Sequence, residues 1–346
     1  MPERLAPKST VLSSRAQRGI CFFLVRAVIF CLTALFLSGH LYEAGSAAKE
    51  PSRPRILGIA GVTISVSDLP SAGGFYEEIV DPRACNFCEK IPSRFFVLRT
   101  GQQIELEQAA LPSPSSLLAE VSFRIDDLEK LRKFLTRNKI AFEEKKSDRT
   151  GTGYGTVRLV LHDPEGHRIS FGTEPGIVEP SIKAIQNSQR NQAGRDRVDA
   201  IVTSRRMIHA GFVVHNRPAT EHFYKDILGF RPYWHGGMKD DQTDWLDLQV
   251  PDGTDWIEFM LNVPANADKH TLGVMNHIAL GVPDIHAAAK QLLTNGMKLT
   301  EEPQIGRDGK WQLNLYDPDD TRVELMEFTP VEKPCCSDYT GPHPKL

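Results

Sequence analysis

Apolar and polar residues alternate with period two along most of the chain, interrupted by short stretches with the 3.6-residue period of a helix, so a repeating strand and helix order is predicted. Between Leu57 and Phe171, ILGIAGVTISV predicts a strand, LPSAGGFYEEIV a helix, and FFVLRT and QIELEQ two further strands. LLAEVSFRI then predicts a strand and DDLEKLRKFLTRN a helix. Asp126 and Asp127 stand where an N-cap belongs, and Leu128, Leu131, Phe134 and Leu135 recur at helical spacing. AFEEKK, TVRLVLHD and HRISFG predict three more strands. From Arg206 to Thr329 the plan returns: strand IHAGFVV, helix PATEHFYKDIL, strands GFRPYWH, DWLDLQV and DWIEFML, then strand NHIALGV, helix DIHAAAKQLLTN and strands MKLTEE, WQLNLYD and RVELMEF. Pro251 with Gly253 marks a hairpin turn, and Gly296 a helix end.

Each region thus holds two β-α-β-β-β units, which predicts an α+β protein of two tandem domains, residues 56–175 and 206–329. Residues 176–205 are polar and rich in Gln, Asn and charge, and read as a linker. Residues 330–346 form a Pro-rich tail, expected to be loose.

The second region carries its chemistry twice. MIHAGFVV opens the first copy and DWIEFML closes it, offering His209 and Glu258; MNHIALGV and TRVELMEF do the same with His277 and Glu324. The intervals are nearly equal, 49 residues (258 − 209) and 47 (324 − 277). Two imidazoles and two carboxylates are an ordinary ligand set for one divalent metal ion. A carboxylate on a strand otherwise made of Trp, Ile, Phe and Met is costly unless a cation or water meets it.

FYKDILGF, NHIALGVPD and LYDPDDTRVEL, in this order and spacing, resemble the vicinal oxygen chelate superfamily, the glyoxalase, bleomycin-resistance and extradiol-dioxygenase group. The resemblance spans about Leu57 to Phe328 and is specific in the second domain. It implies that paired β-α-β-β-β units curl into an open half-barrel with ligands from the first and fourth strands, so His209, Glu258, His277 and Glu324 would hold one ion: Zn, Ni, Mn, Co or Fe. In the glyoxalase-like branch the ion binds two adjacent substrate oxygens, and the residue matching Glu324 is the general base of a proton transfer through an enediolate. Asn262 matches an asparagine of lactoylglutathione lyases, but Val213 stands where their arginine is expected. The resemblance therefore implies an isomerase, lyase or epimerase acting on another vicinal-oxygen substrate.

Two alternatives stay open. An Fe(II) extradiol-type ring-cleaving dioxygenase would use His209, His277 and Glu324, although Asn262 and Asn314 stand about where its acid/base histidine and tyrosine are expected. A non-catalytic binding or resistance protein would use a cup lined by Trp234, Trp245, Trp256 and Trp311. His235 is a further candidate to reach that cup. Aligning the two domains puts Gly61, Glu105, Glu120 and Ser170 at the four ligand positions of the first, a degenerate domain expected to serve as structural partner or lid.

Composition narrows the partners. With 40% hydrophobic and 25% charged residues each domain can bury a core, and a net charge of −3 gives no basic field for nucleic acid. The expected partner is a small-molecule substrate; the family closes its half-barrel within one chain or between two, so a homodimer is also open. Residues 1–48 read as a signal peptide or membrane anchor: Arg15, Arg18 and Arg26, an apolar run from Ala27 to Leu37, then AGSAA. Either form implies an exported protein, periplasmic or secreted, or one tethered with its globular part outside the cytoplasm. Cys85 and Cys88 form a lone CxxC, read as a disulfide or two inert thiols; Cys335 and Cys336 are adjacent in the tail.

Overall fold

In the computed structural model, which describes residues 52–80, 93–109, 117–147, 156–173 and 203–346, strands form where the period-two runs predict them. The first domain comprises β1 (Ile56–Val66), α1 (Leu69–Ile79), β2 (Ser93–Val97), β3 (Gln103–Gln108), β4 (Leu118–Ile125), α2 (Leu128–Arg137), β5 (Glu143–Ser147), β6 (Thr156–His162) and β7 (Arg168–Gly172). Its helices start at Asp68 and Asp127, whose carboxylates accept the N–H of Ser71 and Lys130. The second domain comprises β8 (Arg206–Val213), α3 (Arg217–Glu221) running on into a π-helical turn (His222–Ile227), β9 (Arg231–Gly236), β10 (Trp245–Gln249) and β11 (Trp256–Met260). It continues with α4 (Lys269–Met275), β12 (His277–Val282), α5 (Ile285–Thr294), β13 (Gln304–Ile305), β14 (Trp311–Tyr316) and β15 (Arg322–Glu327).

Both sheets follow one scheme. The strand orders are β2-β3-β1-β4-β7-β6-β5 and β13-β14-β15-β12-β8-β11-β10-β9. The first strands of two half-units pair antiparallel at the centre, β1 with β4 and β8 with β12, and each lies parallel to the last strand of its own half-unit. This scheme places the carboxylate-bearing last strands directly beside the histidine-bearing first strands. The result is an α+β fold of two mixed sheets, one curled into a half-barrel.

One apolar cluster runs through both domains, including Tyr76, Phe123 and Phe171 from the first and Phe212, Tyr224 and Phe259 from the second. The domains exchange equivalent bonds across it. Tyr76 Oη donates to Asp317 at 3.4 Å and Tyr224 Oη donates to Asp163 at 3.2 Å, so the matching FY and DP motifs of each domain dock on the other.

The structure differs from expectation in three places, the first being α4, a helix the sequence pattern does not predict. MKLTEE forms no strand; the edge strand there is only β13, beginning after Pro303, which has no N–H to give a ladder. The tail is not loose. Val331 N and Cys335 N donate to Gly309 O and Arg307 O beside β14, while Thr340 N donates to Tyr233 O on β9. Gln249 Nε2 donates to Pro342 O at 2.8 Å, and Tyr233 Oη meets His343 Nδ1 at 2.6 Å. Residues 330–346 therefore strap together the two ends of the eight-stranded sheet, with Cys335 and Cys336 joined in a disulfide. Among the described residues no helix is long and apolar enough to cross a membrane. Residues 1–48, Cys85, Cys88 and the linker up to residue 202 lie outside the described residues.

Candidate metal centre

Strand register assembles the site. In one rung across the sheet Trp256 faces His209, His209 faces Ala279, Ala279 faces Glu324 and Glu324 faces Asn314. In the next, Asp247 faces Glu258, Glu258 faces Gly211 and Gly211 faces His277. His209 and Gly211 are two apart on β8, so both rungs project from one face, and that face is concave.

The ligand atoms converge there. His209 Nε2 lies 3.0 Å from His277 Nε2, 3.6 Å from Glu258 Oε2 and 3.5 Å from Glu324 Oε2. His277 Nε2 lies 3.0 Å from Glu258 Oε2 and 3.9 Å from Glu324 Oε2. One atom from each of His209, Glu258 and His277 falls within 4.8 Å of the others. Donors about 2.1 Å from a shared ion stand about 3.0 to 3.4 Å apart at octahedral or tetrahedral angles, so these separations suit one divalent cation.

The protonation states suit it as well. Met275 O can only accept, so His277 Nδ1, 2.9 Å away, carries the ring proton and Nε2 presents its lone pair to the site. Arg322 Nη2 donates to that same nitrogen at 2.8 Å. Burial holds both imidazoles well below the usual histidine range; Glu258 opposes this at His209, and Arg322 reinforces it at both. Both rings are thus neutral, as ligands must be. Burial also pushes the Glu324 carboxyl up to about 8, against the nearby Arg322 charge. Facing lone pairs and carboxylates, buried and this close, repel one another unless a cation lies between them, so the donor set fits a metal ion.

A cavity of about 350 Å³ opens beside these residues. Trp234, Trp245 and Trp256 line it, but Trp311 does not; it packs edge-on against His286. His235 is exposed and its backbone N–H bonds Ser337, because the inward Trp234 before it forces His235 outward on the strand. Asn262 also misses the cavity: at φ 60° it turns the chain after β11 and donates to Thr243 O and Asp244. Asn314 lies opposite Glu324 and donates to Glu301 at 2.9 Å.

Four residues of the site went unnoticed in the sequence. Arg322 precedes Glu324 by two, and Asp247 and Gly211 each sit at an inward position of an alternating strand, a signal the sequence does carry. Lys310 has no such signal. It is fully buried under the tail, its Nζ 4.4 Å from the Trp256 ring centroid and 4.8 Å from that of Tyr339, with Asp308 at 3.8 Å.

The first domain places Gly61, Glu105, Glu120 and Ser170 at the equivalent points, since Thr63 faces both Glu105 and Glu120 as Gly211 faces Glu258 and His277. There Glu120 is held by arginines: Arg168 at 3.0 Å and Arg158 at 3.4 Å, with Ser170 Oγ donating at 2.6 Å. Two guanidinium groups and a hydroxyl thus hold the carboxylate of the first domain, whereas in the second domain Arg322 meets the group at His277 and the two imidazoles and two carboxyls face one another.

Residues 206–325 match the Glyoxalase/Bleomycin resistance protein/Dioxygenase superfamily. The chain is 25% identical over 186 residues to the probable chloroplastic lactoylglutathione lyase of Arabidopsis thaliana, covering 51% of this chain and 52% of that protein. It is thus matched over about half of that relative's length. To the lactoylglutathione lyase of Haemophilus influenzae it is 29% identical over 107 residues, 30% of this chain and 79% of that protein. Among solved structures it is similar to homoprotocatechuate 2,3-dioxygenase from Arthrobacter globiformis, with a TM-score of 0.56, 18% identity and 80% of each chain covered. It is likewise similar to the 2,3-dioxygenase LapB from Pseudomonas sp. KL28, with a TM-score of 0.57, 15% identity and 85% of this chain and 96% of that one covered. At these identities the structural likeness is one of fold. The C-terminal domain, over residues 206–325, thus matches the glyoxalase, bleomycin resistance and dioxygenase (vicinal oxygen chelate) superfamily, and it carries a buried His209, Glu258 and His277 group suited to a divalent metal.

Proposed function

We propose that the C-terminal domain is a glyoxalase-type enzyme, an isomerase, lyase or epimerase that transfers a proton on a substrate with two adjacent oxygens. One observation carries this reading. Glu258 completes a tight group with the two histidines, while the buried Glu324 stands 3.5 and 3.9 Å from their Nε2 atoms with its carboxyl pushed up to about 8. A carboxylate poised near neutral pH is suited to take a proton and return it. His209, Glu258 and His277 would hold the ion with Glu324 as fourth donor; once bound, it would supply Lewis acidity to the two substrate oxygens. Glu324 would then take the proton from the carbon beside those oxygens and deliver it to its new position. The Trp walls would exclude water from the exchange.

The second reading, an Fe(II) extradiol-type dioxygenase using His209, His277 and Glu324, is favoured by the two-domain fold shared with the 2,3-dioxygenases. Under it Glu258 has no role. Elemental analysis of protein purified without added metal, alongside Glu258→Gln, separates the two. Zn, Ni or Mn that is lost on substitution supports the proton-transfer reading; iron retained by Glu258→Gln would replace it with the dioxygenase.

A further inference from the structure

We infer that the cavity holds a second recognition point beside the metal group, formed by the Asp247 carboxyl and the Trp256 indole N–H, which takes ring hydroxyls of a polyhydroxylated cyclic ketone substrate. The inference rests on the metal-centred reading and names the substrate class for that site. Asp247 is 4% exposed, lines the cavity, and among the described residues its Oδ1 is buried without a hydrogen-bond partner. Trp256 Nε1 is in the same condition, and its ring lines the same cavity. A buried acceptor and a buried donor left open in the wall of one cavity are costly unless a ligand completes them. Substrate hydroxyls suit both, because a hydroxyl donates to a carboxyl oxygen and accepts from an indole N–H.

Position decides which hydroxyl. Asp247 faces Glu258 across the β10–β11 pair, and Trp256 faces His209 across β11–β8. Each of the two groups is therefore a direct cross-strand neighbour of a metal-group residue, so together they meet substrate hydroxyls other than the chelating pair. A catechol has only its chelating pair and offers nothing to Asp247. The walls agree: Trp234 and Trp245 lie 15° from parallel with centroids 6.5 Å apart, and together with Trp256 they present flat apolar faces suited to ring C–H groups. Lys310, seated on the Trp256 ring, keeps the indole in place.

The test titrates Mn²⁺-loaded full-length protein by isothermal calorimetry with myo-inositol, a probe that carries the ring hydroxyls without the reacting carbonyl, and with catechol. Myo-inositol should bind more tightly than catechol. Asp247→Asn should weaken myo-inositol at least tenfold and Trp256→Phe severalfold, each by more than it weakens catechol. The thermal midpoint of Asp247→Asn, which keeps the shape of a carboxyl that burial and the neighbouring Glu258 hold well above the usual range, should equal or exceed that of the parent. Unchanged myo-inositol affinity in Asp247→Asn, or no myo-inositol binding in a protein that retains Mn²⁺, overturns this inference alone and leaves the open pair to water. Failure to take up Mn²⁺ overturns the metal-centred reading with it.

Discussion

Gly211→Ala lowers divalent-metal affinity by about 10–100-fold, the range expected when the support of a ligating imidazole is lost. Gly211 carries no ligand, yet it faces both Glu258 and His277 in the sheet. A Cβ there would meet His277 Cε1 at 2.2 Å and Nδ1 at 2.5 Å, so the ring must turn. Turning breaks the Nδ1–H bond to Met275 O and swings Nε2 away from His209 and Glu258. Competition against a fluorescent chelator measures the loss, and circular dichroism checks that the sheet survives. Unaltered affinity would mean that His277 does not bind the ion in this rotamer.

Deleting residues 330–346 lowers the thermal midpoint by about 10 °C. Losing a packed ring such as Tyr339 costs about 3–5 kcal/mol, and each kcal/mol moves the midpoint by about 2–4 °C in a protein of this size. Tyr339 packs tilted against Tyr233 with centroids 4.8 Å apart and donates to Asp308 at 3.0 Å, so its removal also uncovers Lys310, which burial already holds below the usual lysine range. A buried ammonium without its aromatic cover and relieved carboxylate partner draws water into the wall behind the metal group. Differential scanning calorimetry of the truncated and full-length chains gives the shift. A truncated chain that melts within about 2 °C of the parent, an interval worth no more than about 1 kcal/mol, would show that the tail does not hold the sheet ends together.

What the sequence made legible was what periodicity governs. Strand and helix order, both duplications, and all four of His209, Glu258, His277 and Glu324 follow from alternation and repeat spacing. So do their counterparts Gly61, Glu105, Glu120 and Ser170, which the register of the first sheet places at equivalent points. The misses have physical causes. His235 fails because neighbours on a strand point to opposite faces, so it cannot share the cavity with Trp234. Asn262 has the right parity relative to Glu258, but the strand has ended at Met260 and parity no longer applies. The tail looks loose because proline and glycine hide what holds it, namely bonds to Tyr233, Gln249 and Gly309 that are distant in sequence. Lys310 reads as a surface residue for the same reason: its cover comes from that tail.

The account depends on two imidazoles and their carboxylate partners sharing one cation in the C-terminal domain. Pulsed electron paramagnetic resonance of the Mn²⁺-loaded protein reads this directly, because each ligating imidazole couples a ¹⁴N nucleus to the electron spin. One bound Mn²⁺ per chain with couplings from two imidazole nitrogens, reduced to one in His209→Ala and in His277→Ala, is the predicted result. A bound ion with no imidazole coupling, or with couplings that neither substitution alters, would contradict it.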